Sequence, residues 1–166
     1  MENPTLPFDP EQYDAHRNSI AVVMAHFFLR YLNLLYREFE GDLLLPMVLG
    51  EIAHHNIFRF FSRKGDSVEV NEKAANSPDR RKHLEPTNAY SISQATGIPR
   101  ETVRRKIDKL EKKGWVVKND RGEVFFSPTV SDHFTKDFNK KILSELLSTS
   151  ETIRNLLKPD SKKPGK

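Results

Sequence analysis

Apolar residues recur along this chain at helical intervals over several stretches and at strand-like intervals over two short ones. After Pro10 neither Pro nor Gly interrupts before Gly41, and Ile20, Met24, Phe27, Tyr31 and Leu34 recur at steps of four and three, with Val23, Phe28 and Leu35 widening the stripe. That pattern predicts one long helix with more apolar surface than a small neighbour covers. Asp9-Pro10-Glu11 marks its start, with an Asp cap, Pro at the first helical position and an acid in the first turn; Gly41-Asp42 marks its end. A second helix is predicted from about Leu43 or Pro46 to Phe61, its faces marked by Val48, Leu49, Ile52, Asn56, Arg59 and Phe60.

The pattern then lapses. Residues 62–87 hold almost no large apolar side chain and are rich in Gly, Ser, Asn, Pro and charge, so an exposed loop is expected, with room for a short ribbon near Ser67–Val70. Order returns at "NAYSISQATG", a short helix capped by Asn88 and stopped by Gly97. Pro99 to Lys113 forms the next helix, with Val103, Ile107 and Leu110 on one stripe and Gly114 ending it. "WVVK" and "VFFS" read as strands joined by the turn "NDRGE", and Pro128 stops the second. From about Val130, the residues Phe134, Phe138, Ile142, Leu146, Ile153 and Leu157 mark a last helix or pair of helices, with a break expected near Ser148-Thr149-Ser150. The expected organisation is a flexible tail (1–9), an N-terminal helical region suited to dimerisation (10–61), a flexible loop (62–87), a winged domain (88–128), a C-terminal helix or helices (129–157) and a basic tail (158–166).

Helix, tight turn, helix and two-stranded ribbon, in that order, predict a mainly α fold: a winged helix-turn-helix with a two-stranded β wing and long N- and C-terminal helices. Small Ser93 and Ala95 let the two helices cross closely, and Gly97 permits a left-handed turn. Trp115 and Val117 are expected to anchor the ribbon, with Trp115 largely buried between ribbon and helix.

Charge sharpens this picture. The net charge is only +4, but "TGIPRETVRRKIDKLEKKGW" carries Arg100, Arg104, Arg105, Lys106, Lys109, Lys112 and Lys113 against Glu101, Asp108 and Glu111. With Val103, Ile107 and Leu110 turned inward, Glu101, Arg105, Asp108 and Lys112 point outward, and Arg104 and Lys109 flank them. Such a helix fits a DNA major groove about 12 Å wide, where Arg can hold guanine and Glu can accept from cytosine. Flanking cations suit phosphates, and at the ribbon turn Arg121, with Lys118 and Asn119, can reach an adjacent backbone or minor groove.

The stretch from Asn88 to Ser127 resembles the DNA-binding domain of bacterial winged-helix transcription regulators. Around "TGIPRETVRRKIDKLEKKGW" it is similar to the cyclic-AMP-receptor type, whose pattern is T-G-[LI]-x-R-E-T-V-x-R-x-[LI]-x-x-L-E-x-x-G. The resemblance implies that Arg100, Glu101 and Arg105 face base edges and that Thr102 lies near a phosphate. It covers about a quarter of the chain, and residues 10–61 before it read as helix and not as the cyclic-nucleotide-binding β-roll of that type. The order of helices around the winged domain is more like the MarR type, whose members are homodimers joined by terminal helices.

The chain lacks Cys, which excludes thiol catalysis, disulfides and cysteine-based zinc sites. His54, His55 and His26 raise the question of a metal, but His54 and His55 are adjacent and so face different sides of a helix, which suits a structural or pocket-lining role better than metal binding. Phe27, Phe28, Phe58, Phe60 and Phe61 suit a core or an interface better than a ligand pocket. There is no glycine-rich phosphate loop and no paired-carboxylate site, so no enzyme, cofactor or metal is expected. The start "MENPTLPFDP" is unlike a secretory signal, and His26, Arg30, Asn33 and Arg37 break the longest apolar segment, so a soluble cytoplasmic protein is expected. The expected partners are double-stranded DNA and a second copy of the chain; an effector ligand is left open. The competing expectation is a winged-helix adaptor that docks proteins.

Overall fold

The computed structural model describes residues 6–57, 61–64, 67–70 and 80–158. The chain divides into two units, one comprising Glu38–Thr135 and the other the described parts of Met1–Arg37 and Lys136–Lys166. The chain is mainly helical, with a two-stranded antiparallel ribbon after the helix-turn-helix, as expected of a winged helix.

Helix α1 spans Pro10–Glu38, and the Asp9 carboxylate accepts from the backbone N–H of Glu11 at 2.9 Å, as its cap position requires. It ends where Glu40 and Gly41 both take positive φ (54° and 85°), a left-handed pair that turns the chain into α2, Leu44–Ile57. Helix α2 buries Leu45, Val48, Leu49, Ile52 and Asn56. It does so against helix α3 (Ala89–Thr96), helix α4 (Arg100–Lys112) and strand β4 (Val124–Phe126). The sequence grouped α2 with the N-terminal helix; its contacts instead make it the first helix of the winged unit. A stripe at steps of three and four declares that a helix has a buried face but is silent about which neighbour covers it.

Asn56 is wholly buried. Its Nδ2 donates to the carbonyls of Glu85 (2.6 Å) and Val124 (3.2 Å), and its Oδ1 accepts from the N–H of Phe126 at 2.8 Å. One side chain thus fastens α2 to the segment entering α3 and to the wing's return strand. That segment also pairs with the strand directly: Thr87 and Val124 exchange N–H to O=C bonds of 3.3 and 2.8 Å.

The wing joins β3 (Val116–Lys118) to β4, with Val116 opposite Phe126 and Lys118 opposite Val124. Val116 and Val124 face the core, and Val117 is exposed; the expected anchor was one residue off, and a shift of one reverses the face of a strand. Trp115 is only half-buried, and its surroundings differ from those expected. It meets Phe39 (5.4 Å between centroids) and Phe134 (5.6 Å) edge-on and stacks on His133. The residue after α1 and the segment that follows the wing therefore supply its aromatic partners, rather than the ribbon and α4.

Phe61, expected to end the second helix, instead opens β1 (Phe61–Lys64), which pairs antiparallel with β2 (Ser67–Val70), where a short ribbon was expected to fit in loop 62–87, and a 3-10 turn lies at Arg80–His83. Residues 65–66 and 71–79 of that loop lie outside the described residues, as do Phe58, Arg59, Phe60, the first five residues of the N-terminal tail and the basic tail after Lys158.

Beyond the wing, Ser127 caps helix α5 (Pro128–His133): its hydroxyl accepts from the N–H of Val130 at 3.3 Å, and Pro128 takes the first turn, where its missing N–H costs nothing. The proline expected to stop the strand also starts the helix. A π-turn, Phe134–Phe138, follows and leads into α6, Asn139–Leu156. No break occurs at Ser148-Thr149-Ser150; the Thr152 hydroxyl donates to the Ser148 carbonyl at 3.0 Å, so this polar run bonds back into the helix instead of ending it. The irregularity falls at the π-turn, which the sequence did not announce.

In the terminal unit α1 buries Ile20, and Val23, Phe27, Tyr31 and Leu34 are half-buried along the same side. The rings of Phe27 and Tyr31 stack at 6.2 Å, and Arg30 pairs with Glu145 of α6. A cleft of about 240 Å³ lies here, lined by Phe27, Tyr31, Leu34 and Ile142 with Lys141 and that ion pair at its edge. Val22, Leu29, Leu32 and Tyr36 of α1 and Leu143, Leu146 and Leu147 of α6 are exposed. By length and composition α1 is apolar enough to cross a membrane, which counting unbroken apolar runs had missed because His26, Arg30 and Asn33 are diluted by their neighbours.

Replacing Asn56 with Leu preserves the size of the side chain and removes three hydrogen bonds at once, leaving two carbonyls and an N–H buried without partners. The expected loss is about 2–4 kcal/mol, read as a lower urea midpoint at unchanged slope.

Candidate nucleic-acid interface

The turn between α3 and α4 is built from short side chains. The Asn88 carbonyl oxygen of the side chain accepts from the N–H groups of Tyr90 (2.9 Å) and Ser91 (3.1 Å), which starts α3. Gly97, at φ 71°, ends it with its N–H on the Ser93 carbonyl at 2.9 Å. The Ser93 hydroxyl then donates to the Ile98 carbonyl at 2.7 Å, and the Thr96 hydroxyl donates to Ile92 at 2.7 Å, so both sides of the turn are closed by hydroxyls. Ile92, Ile98, Val103, Ile107 and Leu110 form the buried seam beneath.

This packing sorts the charges of α4 into rows. At about 100° per residue, Glu101, Arg105 and Lys112 lie opposite the buried stripe, and all are exposed. The row toward the wing contains Arg100, Arg104, Asp108 and Glu111. The row on the other flank contains Lys106, Lys109 and Lys113.

The two flanking rows are treated differently by the fold. Lys106 Nζ lies 2.9 and 2.7 Å from the two Asp42 oxygens, and Lys109 Nζ lies 3.5 Å from one of them. Lys113 pairs with Glu40 at 2.6 Å and stands 5.5 Å from the centroid of the Trp115 ring. On the wing side, Lys118 bridges Asp108 (2.5 Å) and Glu111 (2.8 Å), tying β3 to α4. Arg104 and Glu101 approach only to 3.5 Å. Arg100, Lys112 and Arg121 have no ion-pair partner among the described residues.

The pKa shifts follow these contacts. The Lys118 hydrogen bond, with the charges of Lys118, Arg104 and Lys112, holds the Asp108 carboxyl below its ordinary value against the opposing effect of burial. The same bonds to Asp108 and Glu111 raise the Lys118 ammonium. Burial pushes Asp42 upward, but the Lys106 hydrogen bond and the charges of Lys106 and Lys109 bring it below the usual value. The Lys113 hydrogen bond lowers Glu40.

At the tip of the wing, Asn119 folds the turn. Its Oδ1 accepts from the N–H groups of Arg121 (3.0 Å) and Glu123 (2.9 Å), and its Nδ2 donates to the Glu123 carboxylate. Gly122, at φ 74°, completes the turn, and the Arg121 side chain is left exposed. Between wing, α4 and the start of α3 lies an open groove of about 550 Å³. Its walls include Arg100, Arg104, Lys118 and Arg121, with Asp108 the one carboxylate, and Asn88 and Tyr90 on the third side.

The structure therefore brings Arg100, Arg104, Lys118 and Arg121 around one groove and leaves Glu101 and Arg105 on the outward row beside it. Thr102 is half-buried on the opposite side of α4, its hydroxyl 3.5 Å from Arg105. Lys109 shares a carboxylate, and Lys118 and Asn119 are engaged within the domain. Sequence reasoning missed Asn88 and Tyr90 as walls of the groove, having used Asn88 only as a cap; it also missed the acids at 40 and 42, which lie more than sixty residues from the lysines they hold and carried no local signal.

Residues 83–130 match the family model described as sugar-specific transcriptional regulator TrmB. The match coincides with the helix-turn-helix and wing, and it supports a DNA-binding transcription regulator of the winged-helix type rather than an enzyme. No curated protein and no solved structure matches the chain.

The tether between wing and helix has a defined pH range. Asp108 has a lowered folded-state pKa, so its contribution is complete above the ordinary carboxylate value of about 3.9 and fades as pH falls through the lowered one. Lys118 has a raised pKa, so its contribution is complete below about 10.4 and is lost as pH rises through the raised one. Both groups are partly exposed, which limits the pair to less than about 1 kcal/mol. In a Lys118→Met variant the Asp108 carboxyl, followed by carbon-detected NMR, is expected to titrate at higher pH than in the parent; an unchanged midpoint would remove the tether.

Proposed function

We propose that the protein is a sequence-specific transcriptional regulator that binds duplex DNA as a homodimer. Helix α4 enters the major groove, Arg100, Glu101 and Arg105 read base edges, and Thr102 and Arg104 approach phosphates; Lys109 lies on the same helix but shares the Asp42 carboxylate and reaches a phosphate only when released from it. The wing lies on the backbone or in the minor groove, with Arg121 as its contact and with Lys118 and Asn119 holding it in shape. The observation that carries this reading is the coincidence of the regulator-family match at 83–130 with an outward row containing Arg105 and a groove lined by Arg100, Arg104 and Arg121. The family's description names sugar specificity, but the match covers the DNA-reading segment, so what is carried over is the DNA and not the sugar.

The dimer rests on the terminal unit and on the MarR-like order of helices. On α1 the stripe of buried Ile20 and half-buried Val23, Phe27, Tyr31 and Leu34 has a second apolar row almost opposite, Val22, Leu29, Leu32 and Tyr36, at steps of seven, three and four. A helix apolar on two faces needs two neighbours. Leu143, Leu146 and Leu147 extend the exposed surface on α6. A two-fold pairing of these helices is the commonest way to cover such a face, and it sets two copies of α4 roughly 34 Å apart, one turn of DNA.

Fluorescence anisotropy with a random duplex across a salt series tests the reading: affinity should fall steeply as salt rises, and Arg121→Ala should flatten the slope by about one unit. On a selected site Arg105→Ala should cost about 1–3 kcal/mol and relax the sequence preference. Absence of salt-dependent binding would favour a protein-docking adaptor. Sedimentation equilibrium at micromolar concentration should give twice 19.2 kDa; a species of 19.2 kDa throughout would sink the dimer.

A further inference from the structure

Of the seven cations on and just after α4, three are held by acids from one short corner, Glu40-Gly41-Asp42. We infer that Asp42 is a selectivity determinant: it restrains Lys106 and Lys109 on the flank of α4 and so limits the sequence-independent attraction of this helix for DNA. The inference rests on the DNA reading above.

Two roles are open to a carboxylate in this position, holding the helix in place or holding its charges back. Packing decides between them. Val103, Ile107 and Leu110 are almost completely buried, and three large aliphatic groups removed from water outweigh a partly exposed ion pair as a means of fixing α4. The corner also keeps its shape without the carboxylate. The Asp42 N–H donates to the Phe39 carbonyl at 3.0 Å and its carbonyl accepts from the Leu45 N–H at 3.1 Å, while Glu40 and Gly41 supply the left-handed turn. What only the carboxylate supplies is charge. It faces two ammonium groups, and its side chain and that of Lys106 are about one-fifth exposed, so this attraction is less screened than at an open surface.

The consequence is an asymmetric helix. On the wing side Arg100 and Arg104 face an open groove; on the other flank the lysines are turned toward acids of their own domain. Phosphate neutralisation is indifferent to base sequence, and each further phosphate neutralised steepens the salt dependence by about 0.9. Restraining two flank lysines therefore lowers affinity for every duplex while leaving the outward row, which carries Glu101 and Arg105, unaffected. Lys109 is the more exposed of the two, at 42% against 20%, and is the one positioned to gain a phosphate when released.

Asp42→Asn keeps the size of the group and removes its charge. The full-length parent and variant are titrated with the same random duplex over a salt series, with thermal melting as a check on folding. The expected result is an affinity for random DNA about threefold to tenfold higher near 0.1 M salt, and a salt slope steeper by about one unit. Adding Lys109→Gln to the variant should reverse both changes, which a merely structural role of Asp42 would not do. A folded variant that binds random DNA as weakly as the parent, or more weakly, overturns the inference. If Asp42→Asn does not fold, Asp42→Ser is used, and a requirement for any carboxylate at this position to fold would assign it a structural role and overturn the inference too. A parent that shows no salt-dependent binding defeats the DNA reading itself, and is distinguished by that from failure of the variant alone.

Discussion

The winged unit depends on one buried amide. Asn56 is the point at which α2, the chain entering α3, and strand β4 meet, and it satisfies a donor or acceptor on the last two of these. An apolar side chain could fill the same space, but it would leave the edge of the ribbon and the preceding segment with unpaired groups in the core, where each is costly. Because the amide is satisfied, β4 is held at a fixed distance from α2. Strand β3 follows by pairing, and the wing tip follows from both. The apolar seam of Ile92, Ile98, Val103, Ile107 and Leu110 then needs only to seat α3 and α4 against α2.

On that frame the charged residues of α4 acquire different roles although they look alike in sequence. The side facing the wing is stiffened by the Lys118 bridge to Asp108 and Glu111 and still presents Arg100 and Arg104 to a groove. The opposite side is largely neutralised by the corner after α1. The outward row remains mixed in sign, Glu101 beside Arg105 and Lys112. A surface that reads bases benefits from such a mixture, since a uniformly cationic one attracts phosphates alone. The question posed by so many cations on one short helix is answered by this division: about half of them serve the domain's own geometry and charge balance.

Much of this was legible beforehand because it is local. The Asn88 cap, the Gly97 turn, the inward stripe of Val103, Ile107 and Leu110, and the Asn119–Gly122 wing turn each depend on residues within a few positions of one another. The regulator-family match then falls on that same segment. What misled was equally specific. Val117 took the role that belongs to Val116, because alternation in a three-residue strand gives no independent check of register. The tract at Ser148–Ser150 looked like a break because Ser and Thr compete with helix backbone, but in place the Thr152 hydroxyl bonds back to the Ser148 carbonyl and the helix continues.

By itself the sequence determined the helices, the tight turn, the ribbon and the outward face of α4, since periodicity, capping residues and left-handed glycines act over less than two turns of helix. Tertiary structure alone decided that α2 belongs to the winged unit, that Trp115 rests on Phe39, His133 and Phe134, and that Asp42 and Glu40 hold lysines some sixty to seventy positions away. The physical reason is common to all three. A buried stripe, an aromatic ring and an ammonium group each require a partner but do not encode its address; only the folded chain brings the partner within the 3 to 6 Å over which packing and charge act.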